Sequence, residues 1–214
     1  MPDRSWVNDA SKSYDRVAIP YAELVRDGFK ELPLERAILD LFTSQVRASA
    51  QAPVLDAGCG PGVLSRELVE SGLPVTAIDV SPRMLQLARM VDARLHLAVA
   101  SLTSLPFATG TFAGVFCWYV LHHVPDHDLA QVVSELARVT APGGSLMLGG
   151  HVGEGSYVKT EGYGGLPMRV LFTRRSALAY AAALRTAGLV VDATTTLGPD
   201  DPAKGAIWLA HKPS

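Results

Sequence analysis

Short runs of Val, Ile and Leu alternate along the chain with longer segments whose apolar positions recur every three or four residues. The runs are Val54-Leu-Asp56, Val75-Thr-Ala-Ile-Asp79, Leu95-His-Leu-Ala-Val99, Gly114-Val-Phe-Cys-Trp-Tyr119 and Ser145-Leu-Met-Leu148. They are apolar throughout rather than alternately polar, the pattern of strands covered on both faces. Between them, Ser81-Pro82 places an N-cap before a proline at the first helical position, followed by a stripe of Met84, Leu85, Leu87 and Ala88. Asp126 is expected to cap a second helix carrying Leu129, Val132, Val133, Leu136 and Val139, ended by Pro142-Gly143-Gly144. Strand, helix and strand in regular succession imply right-handed crossovers and a parallel sheet.

After a last helix, expected over residues 173–186 with Gly188 as its C-cap, the pattern changes. Val190-Val-Asp-Ala-Thr-Thr-Thr196 and Ala206-Ile-Trp-Leu-Ala210 are β-rich, and residues 198–205 between them suit a hairpin better than a helical crossover. The expected class is therefore α/β, a doubly wound, mostly parallel seven-stranded sheet with an antiparallel edge hairpin. Amphipathic helical material, including Pro33-Leu-Glu-Arg-Ala-Ile-Leu-Asp-Leu-Phe42, precedes the first strand. This divides the chain into an N-terminal helical lid or cap segment, residues 1–50, and a main domain, residues 51–214, in one structural unit.

Composition narrows the function. Charged residues make up 19% of the 214 positions and apolar residues 48%, enough for a substantial core. A net charge of −2 without Lys/Arg clusters argues against nucleic acid as a partner. The start of the chain has no signal-peptide core, and the longest apolar stretch, around residues 112–121, is too short to span a bilayer. Cys59 and Cys117 lie far apart, which suits free thiols in a reducing compartment. The expectation is a cytoplasmic protein with no membrane partner.

The segment Val54-Leu-Asp-Ala-Gly-Cys-Gly-Pro-Gly62 follows a buried strand and opens a helix. Its glycines let the backbone approach a ligand, and the helix start offers free N–H donors. The spacing does not complete a dinucleotide fingerprint: from Gly58 and Gly60 the third glycine position falls on Val63, and from Gly60 and Gly62 on Ser65. An NAD-linked oxidoreductase is thereby disfavoured. A P-loop is excluded too, because no Gly-Lys-Ser/Thr occurs. What remains is Asp-x-Gly-x-Gly-x-Gly with an acidic residue, Asp79, at the end of the second strand, a position suited to accepting both hydroxyls of a ribose.

This loop, together with Ile-Asp-Val-Ser-Pro-Arg-Met-Leu85, Leu-Pro-Phe107, Leu-His-His-Val-Pro-Asp126 and Glu-Leu-Ala-Arg-Val-Thr-Ala-Pro-Gly-Gly-Ser145, resembles the class I S-adenosylmethionine-dependent methyltransferases of the small-molecule type. The five motifs occur in order over nearly the whole chain. The resemblance implies a Rossmann-like fold, S-adenosylmethionine as cofactor and S-adenosylhomocysteine as product. It further implies that Asp56, Gly58 and Gly60 line the methionine end, Asp79 holds the ribose, Val80 and Met84 flank the adenine, and Ser101 and Leu102 cap its far edge. Ser101 stands where many members have Asp, so a weaker adenine contact is expected. Phe112-Ala-Gly-Val115 replaces a Phe-Asp-x-Val pattern and removes one acidic anchor.

Ligands of such sheets lie beyond the carboxyl ends of the strands, which brings Cys117, His122, His123 and His151 to the site. Methyl transfer from a sulfonium is an in-line displacement that needs mainly positioning, and a base only where the nucleophile must lose a proton. Histidine suits that role, with His123 first, His151 second and His122 beside them. Each also suits a helix cap or a hydrogen bond to a nearby carbonyl. If His123 is the base, His123→Ala should lower turnover and leave cofactor affinity nearly unchanged. The cluster His122, His123, Asp126, His127 and Asp128 is not read as a metal site, because a sequence cluster does not supply three or four converging ligands.

Ser13-Tyr-Asp-Arg-Val-Ala-Ile-Pro-Tyr21 resembles the stretch that closes over the cofactor in related enzymes. Tyr14 and Tyr21 are spaced to share a helix face, though Pro20 is expected to interrupt the helix. As a lid it would exclude water, and removing residues 1–25 should then cost cofactor affinity. The Gly-rich segment 151–172, with Tyr157 and Tyr163, reads as a mobile loop that completes an acceptor pocket with Trp118 and Tyr119. The expected activity is methyl transfer to O, N or C of a small acceptor. The competing reading is a non-catalytic cofactor-binding module of the same fold.

Overall fold

The computed structural model describes residues 4–48, 53–198 and 205–214. The five apolar runs form β1 (Val54–Ala57), β2 (Val75–Asp79), β3 (His96–Val99), β4 (Phe112–Trp118) and β5 (Thr140–His151), all paired in parallel. β8 (Val190–Leu197) and β9 (Gly205–His211) complete a sheet of order β3-β2-β1-β4-β5-β9-β8. β9 is antiparallel to both neighbours and lies between β5 and β8, so β8 is the outer edge. The expected class therefore holds. The turn expected between β8 and β9, and the boundary expected between residues 50 and 51, lie outside the described residues.

Period-two alternation sorts the strands onto two cores. Leu55, Val115, Cys117 and Leu146 face one side, packed with Leu136 of α5 (Asp126–Val139) and Leu184 of α6 (Ala177–Thr186). Val54, Phe116 and Met147 face the other, against Phe42 of α2 (Pro33–Ala48), Leu68 of α3 (Val63–Glu70) and Ala88 of α4 (Pro82–Val91). A third cluster joins Val17 of α1 (Ser5–Val25) to Met168, Val170 and Phe172 of β7 (Pro167–Thr173).

Several local expectations are corrected. Ser81 caps α4 as expected, accepting from the Met84 N–H at 3.1 Å. Asp126 is instead the first residue of α5 after Pro125. Pro142-Gly143-Gly144 does not end that helix: Thr140 does, and the Pro-Gly-Gly triplet lies within β5 where the register to β4 shifts. Thr173 ends a strand, and α6 starts after Ser176, whose hydroxyl accepts from the Ala179 N–H. The last helix is also capped by Ala187, with Gly188 one residue beyond it at φ +85°.

The segment 151–172 is not a loop. Its residues build β6 (Ser156–Glu161) and β7, an antiparallel pair outside the main sheet. Pro20 does not interrupt α1 either; the helix runs through it. Burial of Val17 and Ala18 and the side-chain bonds described below hold α1 against β7 and α4, outweighing the lost backbone bond.

Candidate active site

The carboxyl ends of β1, β4 and β5 open onto a cavity of about 380 Å³. It is adjoined by a recess of about 80 Å³ that shares Tyr14, Tyr21, Gly58, Gly60, Trp118 and Tyr119 with it. Gly58 and Gly60 have φ of +86° and +53°, and a Cβ on Gly58 would stand 2.4 Å from the Val120 side chain. The loop therefore needs glycine both for its conformation and for its packing.

Asp79 ends β2 in the smaller recess, with Val80 and Leu102. Its two oxygens accept from the Gly60 N–H at 2.9 Å and the Ser81 N–H at 2.8 Å. Burial lifts this carboxyl to about 6, against the pull of those N–H groups. Asp56 lines the larger cavity at 2% exposure, accepts from Ser65 Oγ at 2.5 Å, and is raised by burial to about 7. Ser101 bonds Thr103 and lies in an open groove beside Val80 and Ala100, while Met84 is packed inside at 1% exposure.

Cys117 takes no part in either space. Alternation along β4 turns Phe116 and Trp118 toward the cavity and Cys117 into the opposite core, where burial pushes its thiol up. This corrects the expectation that Cys117 touches the cofactor.

The N-terminal helix is fastened across the recess. Ser11 Oγ donates to the Val80 carbonyl at 2.8 Å. Asp15 accepts from Ser81 Oγ at 2.6 Å and the Arg83 N–H at 3.0 Å, placing a carboxylate at the start of α4. Ser13 bonds Arg169 of β7, and Asp9 pairs with the same arginine. Tyr14 and Tyr21 meet edge to face with centroids 5.6 Å apart, and Tyr163 extends the cluster.

The three histidines divide by what their nitrogens do. His123 Nδ1 lies 2.9 Å from the Leu171 carbonyl, which only accepts, so Nδ1 carries the proton. Nε2 then accepts from the Tyr14 hydroxyl at 2.8 Å. Both nitrogens are committed, and burial lowers the ring to about 4. His123 therefore joins α1 to β7 and has no nitrogen left for an acceptor's proton. His122 and His151 line the large cavity with ring centroids 4.9 Å apart. Neither Nδ1 has a partner among the described residues, and burial lowers both rings, keeping them neutral near pH 7.

The backbone strain at Tyr119, a residue expected in the acceptor pocket, and the part played by Arg175 were not foreseen. Tyr119, just after β4, has φ +54°, alone among the described non-glycine residues in that region, and its ring lies 4.6 Å from His151. Backbone strain of this kind concentrates at functional sites. Arg175, 7% exposed, donates to the carbonyls of Leu121 (3.1 Å) and Val124 (2.5 Å) and to Asp126 (2.7 Å). It thereby clamps the 3-10 turn Leu121–His123 that carries both histidines. Asp126 is spent on this pair and Asp128 accepts from Trp6 Nε1, and among the described residues no three His, Cys, Asp or Glu side chains are placed to hold a metal ion.

Residues 54–144 match the model of a family described as a methyltransferase domain. A malonyl-[acyl-carrier protein] O-methyltransferase of Pseudescherichia vulneris is 35% identical over 130 residues, 61% of this chain and 51% of that protein. A ubiquinone biosynthesis O-methyltransferase of Xylella fastidiosa is 32% identical over 161 residues, 64% of this chain and 63% of that protein. The chain spans between 43% and 63% of the length of curated relatives it matches. Among solved structures, the DhpI–SAH complex superposes with a TM-score of 0.75 at 19% identity, covering 99% of this chain and 98% of the other.

Proposed function

We propose that this chain, which carries a class I methyltransferase domain, transfers a methyl group from S-adenosylmethionine to an oxygen of a small acceptor. The observation that carries the reading is Asp79. A carboxylate has about four acceptor sites, and two are used by Gly60 and Ser81, which leaves two for the hydroxyls of a ribose in the recess. The glycine cradle and the apolar Val80 and Leu102 fit the rest of a nucleoside with a short polar arm. Both relatives are named O-methyltransferases, one of an acyl-carrier-linked acid and one of ubiquinone biosynthesis, which supports oxygen as the nucleophile.

Bound there, S-adenosylmethionine supplies an electrophilic methyl group. That methyl group would be offered to an acceptor oxygen, and a histidine nitrogen of this chain would take the oxygen's proton. Asp79 orients the cofactor, α1 with Tyr14 and Tyr21 excludes water, and His151 or His122 takes the proton. Of the segment 1–50, α1 acts as the lid, whereas α2 packs into the sheet's core and belongs with the binding domain, residues 51–214. Incubation of the protein with methyl-labelled S-adenosylmethionine and a cell extract should give a labelled small molecule. Cofactor binding without any labelled product would instead mark a non-catalytic module.

His123 and Tyr14 act as one unit in closing the lid. His123→Ala and Tyr14→Phe should each weaken S-adenosylmethionine binding about fivefold, the value of one hydrogen bond, about 1 kcal/mol. The double variant should be little worse than either single one in a binding titration. Additive losses, or the loss of turnover alone expected of a base at His123, would contradict this role.

A further inference from the structure

Resting on the methyltransferase reading, we infer that the acceptor is an uncharged planar aromatic or enolic alcohol, a phenol-type hydroxyl rather than a carboxylic acid or an amine. Trp118 supplies a flat wall of the large cavity and is held in place by two buried rings, Phe116 parallel to it at 5° and 5.8 Å and Phe29 edge on at 4.8 Å. Offset and edge contacts of this kind favour a planar guest. Leu24 and Leu32 line the same cavity while 67% and 42% exposed, so its mouth is apolar as well. An apolar cavity of about 150 Å³ suffices for benzene. The 380 Å³ found here leaves room for one substituted ring beside the cofactor's methionine arm.

The charges argue against the other acceptors. Among the described residues, no Lys or Arg lines this cavity. Lys159 stands over two of the lining rings, Tyr163 and Phe172, at 4.4 and 5.6 Å from their centres, and its charge is engaged by those ring faces rather than presented as part of the cavity wall. A carboxylate acceptor would be desolvated there without a cationic partner, which is costly. An ammonium would need an exposed anion, but Asp56 is almost wholly buried and already bonded to Ser65.

A neutral hydroxyl meets neither penalty, and it needs a proton acceptor. His122 and His151 are the two imidazoles that line the cavity; Nδ1 of each is buried, which leaves Nε2 as the nitrogen to take the proton. A phenol, which loses its proton near pH 10, is far better matched to imidazole than an aliphatic alcohol. As the ring oxygen bonds to the methyl carbon, its O–H bond breaks and the proton moves to imidazole. The departing sulfur keeps the electron pair of the C–S bond, so an aryl methyl ether, a thioether and an imidazolium result.

The test uses three probes of matched size, 4-methylcatechol, 4-methylbenzoate and 4-methylbenzylamine, with the full chain. Binding to protein loaded with S-adenosylhomocysteine is measured by calorimetry, and methylation by mass spectrometry with S-adenosylmethionine. Expected is binding and methylation of 4-methylcatechol, with the acid and the amine at least about tenfold weaker for want of a charge partner. Leu24→Arg, which adds a cation at the exposed mouth, should raise binding of 4-methylbenzoate relative to 4-methylcatechol. Preference of the unmodified protein for the acid or the amine overturns the assignment. So does failure of all three probes to bind protein that holds S-adenosylhomocysteine. Failure to bind S-adenosylhomocysteine itself overturns the methyltransferase reading beneath it.

Discussion

Asp79→Asn should weaken S-adenosylmethionine binding by roughly 30- to 150-fold, about 2–3 kcal/mol. The side chain sits between two donors, the N–H groups of Gly60 and Ser81. A carboxylate satisfies both and still has acceptor sites for two ribose hydroxyls. An amide offers one oxygen and must turn its NH₂ toward either the Gly60 or the Ser81 N–H, which disturbs the loop as well as losing the ribose. The same logic sets a pH dependence. Burial holds this carboxyl at about 6, and the ionised form is the better acceptor. Affinity should therefore be full above that value and fall as pH drops through it, a trend that titrations between pH 5 and 8 would reveal.

Arg175→Met should lower stability by about 3 kcal/mol, or the melting temperature by about 6–12 °C for a chain of this length. The guanidinium is buried and its donors occupy the carbonyls of Leu121 and Val124. Without it the Val124 carbonyl loses its side-chain donor and the Leu121 carbonyl keeps only the Val124 N–H, whereas Asp126, with its side chain 78% exposed, is rehydrated. The cost therefore falls on the turn bearing His122 and His123, and turnover should drop with stability. Arg175→Lys, which retains a charge but not the forked geometry, should recover part of both. Thermal denaturation and rate measurements on the two variants check this, and a Met variant as stable as the parent would show that the clamp contributes nothing.

The parts of the fold set by local chemistry were legible in the sequence. Five continuous apolar runs marked the parallel strands, Ser81-Pro82 marked a helix start, and the glycine spacing with Asp79 marked residues that line one recess at the strand ends. What could not be read were the features made by partners distant along the chain. His123 resembles a base until Tyr14, 109 residues away, and Leu171, 48 residues away, are seen to use both its nitrogens. Arg175 carries no motif, because its partners lie about fifty residues earlier. Pro20 and the glycines of 151–172 pointed to breaks and a loop, but packing of α1 on β7 and the ladder between β6 and β7 override those local preferences. Cys117 was placed by its position near a strand end, although alternation within β4 assigns it to the other face.

The central claim is that Asp79 and the glycine cradle hold S-adenosylmethionine or its product. Titration calorimetry with S-adenosylhomocysteine on the unmodified chain and on Asp79→Asn tests it most directly. One molecule bound per chain, with affinity reduced at least about 30-fold in the variant, is the predicted result. No heat of binding to the unmodified chain, or equal affinity in the two proteins, would contradict it.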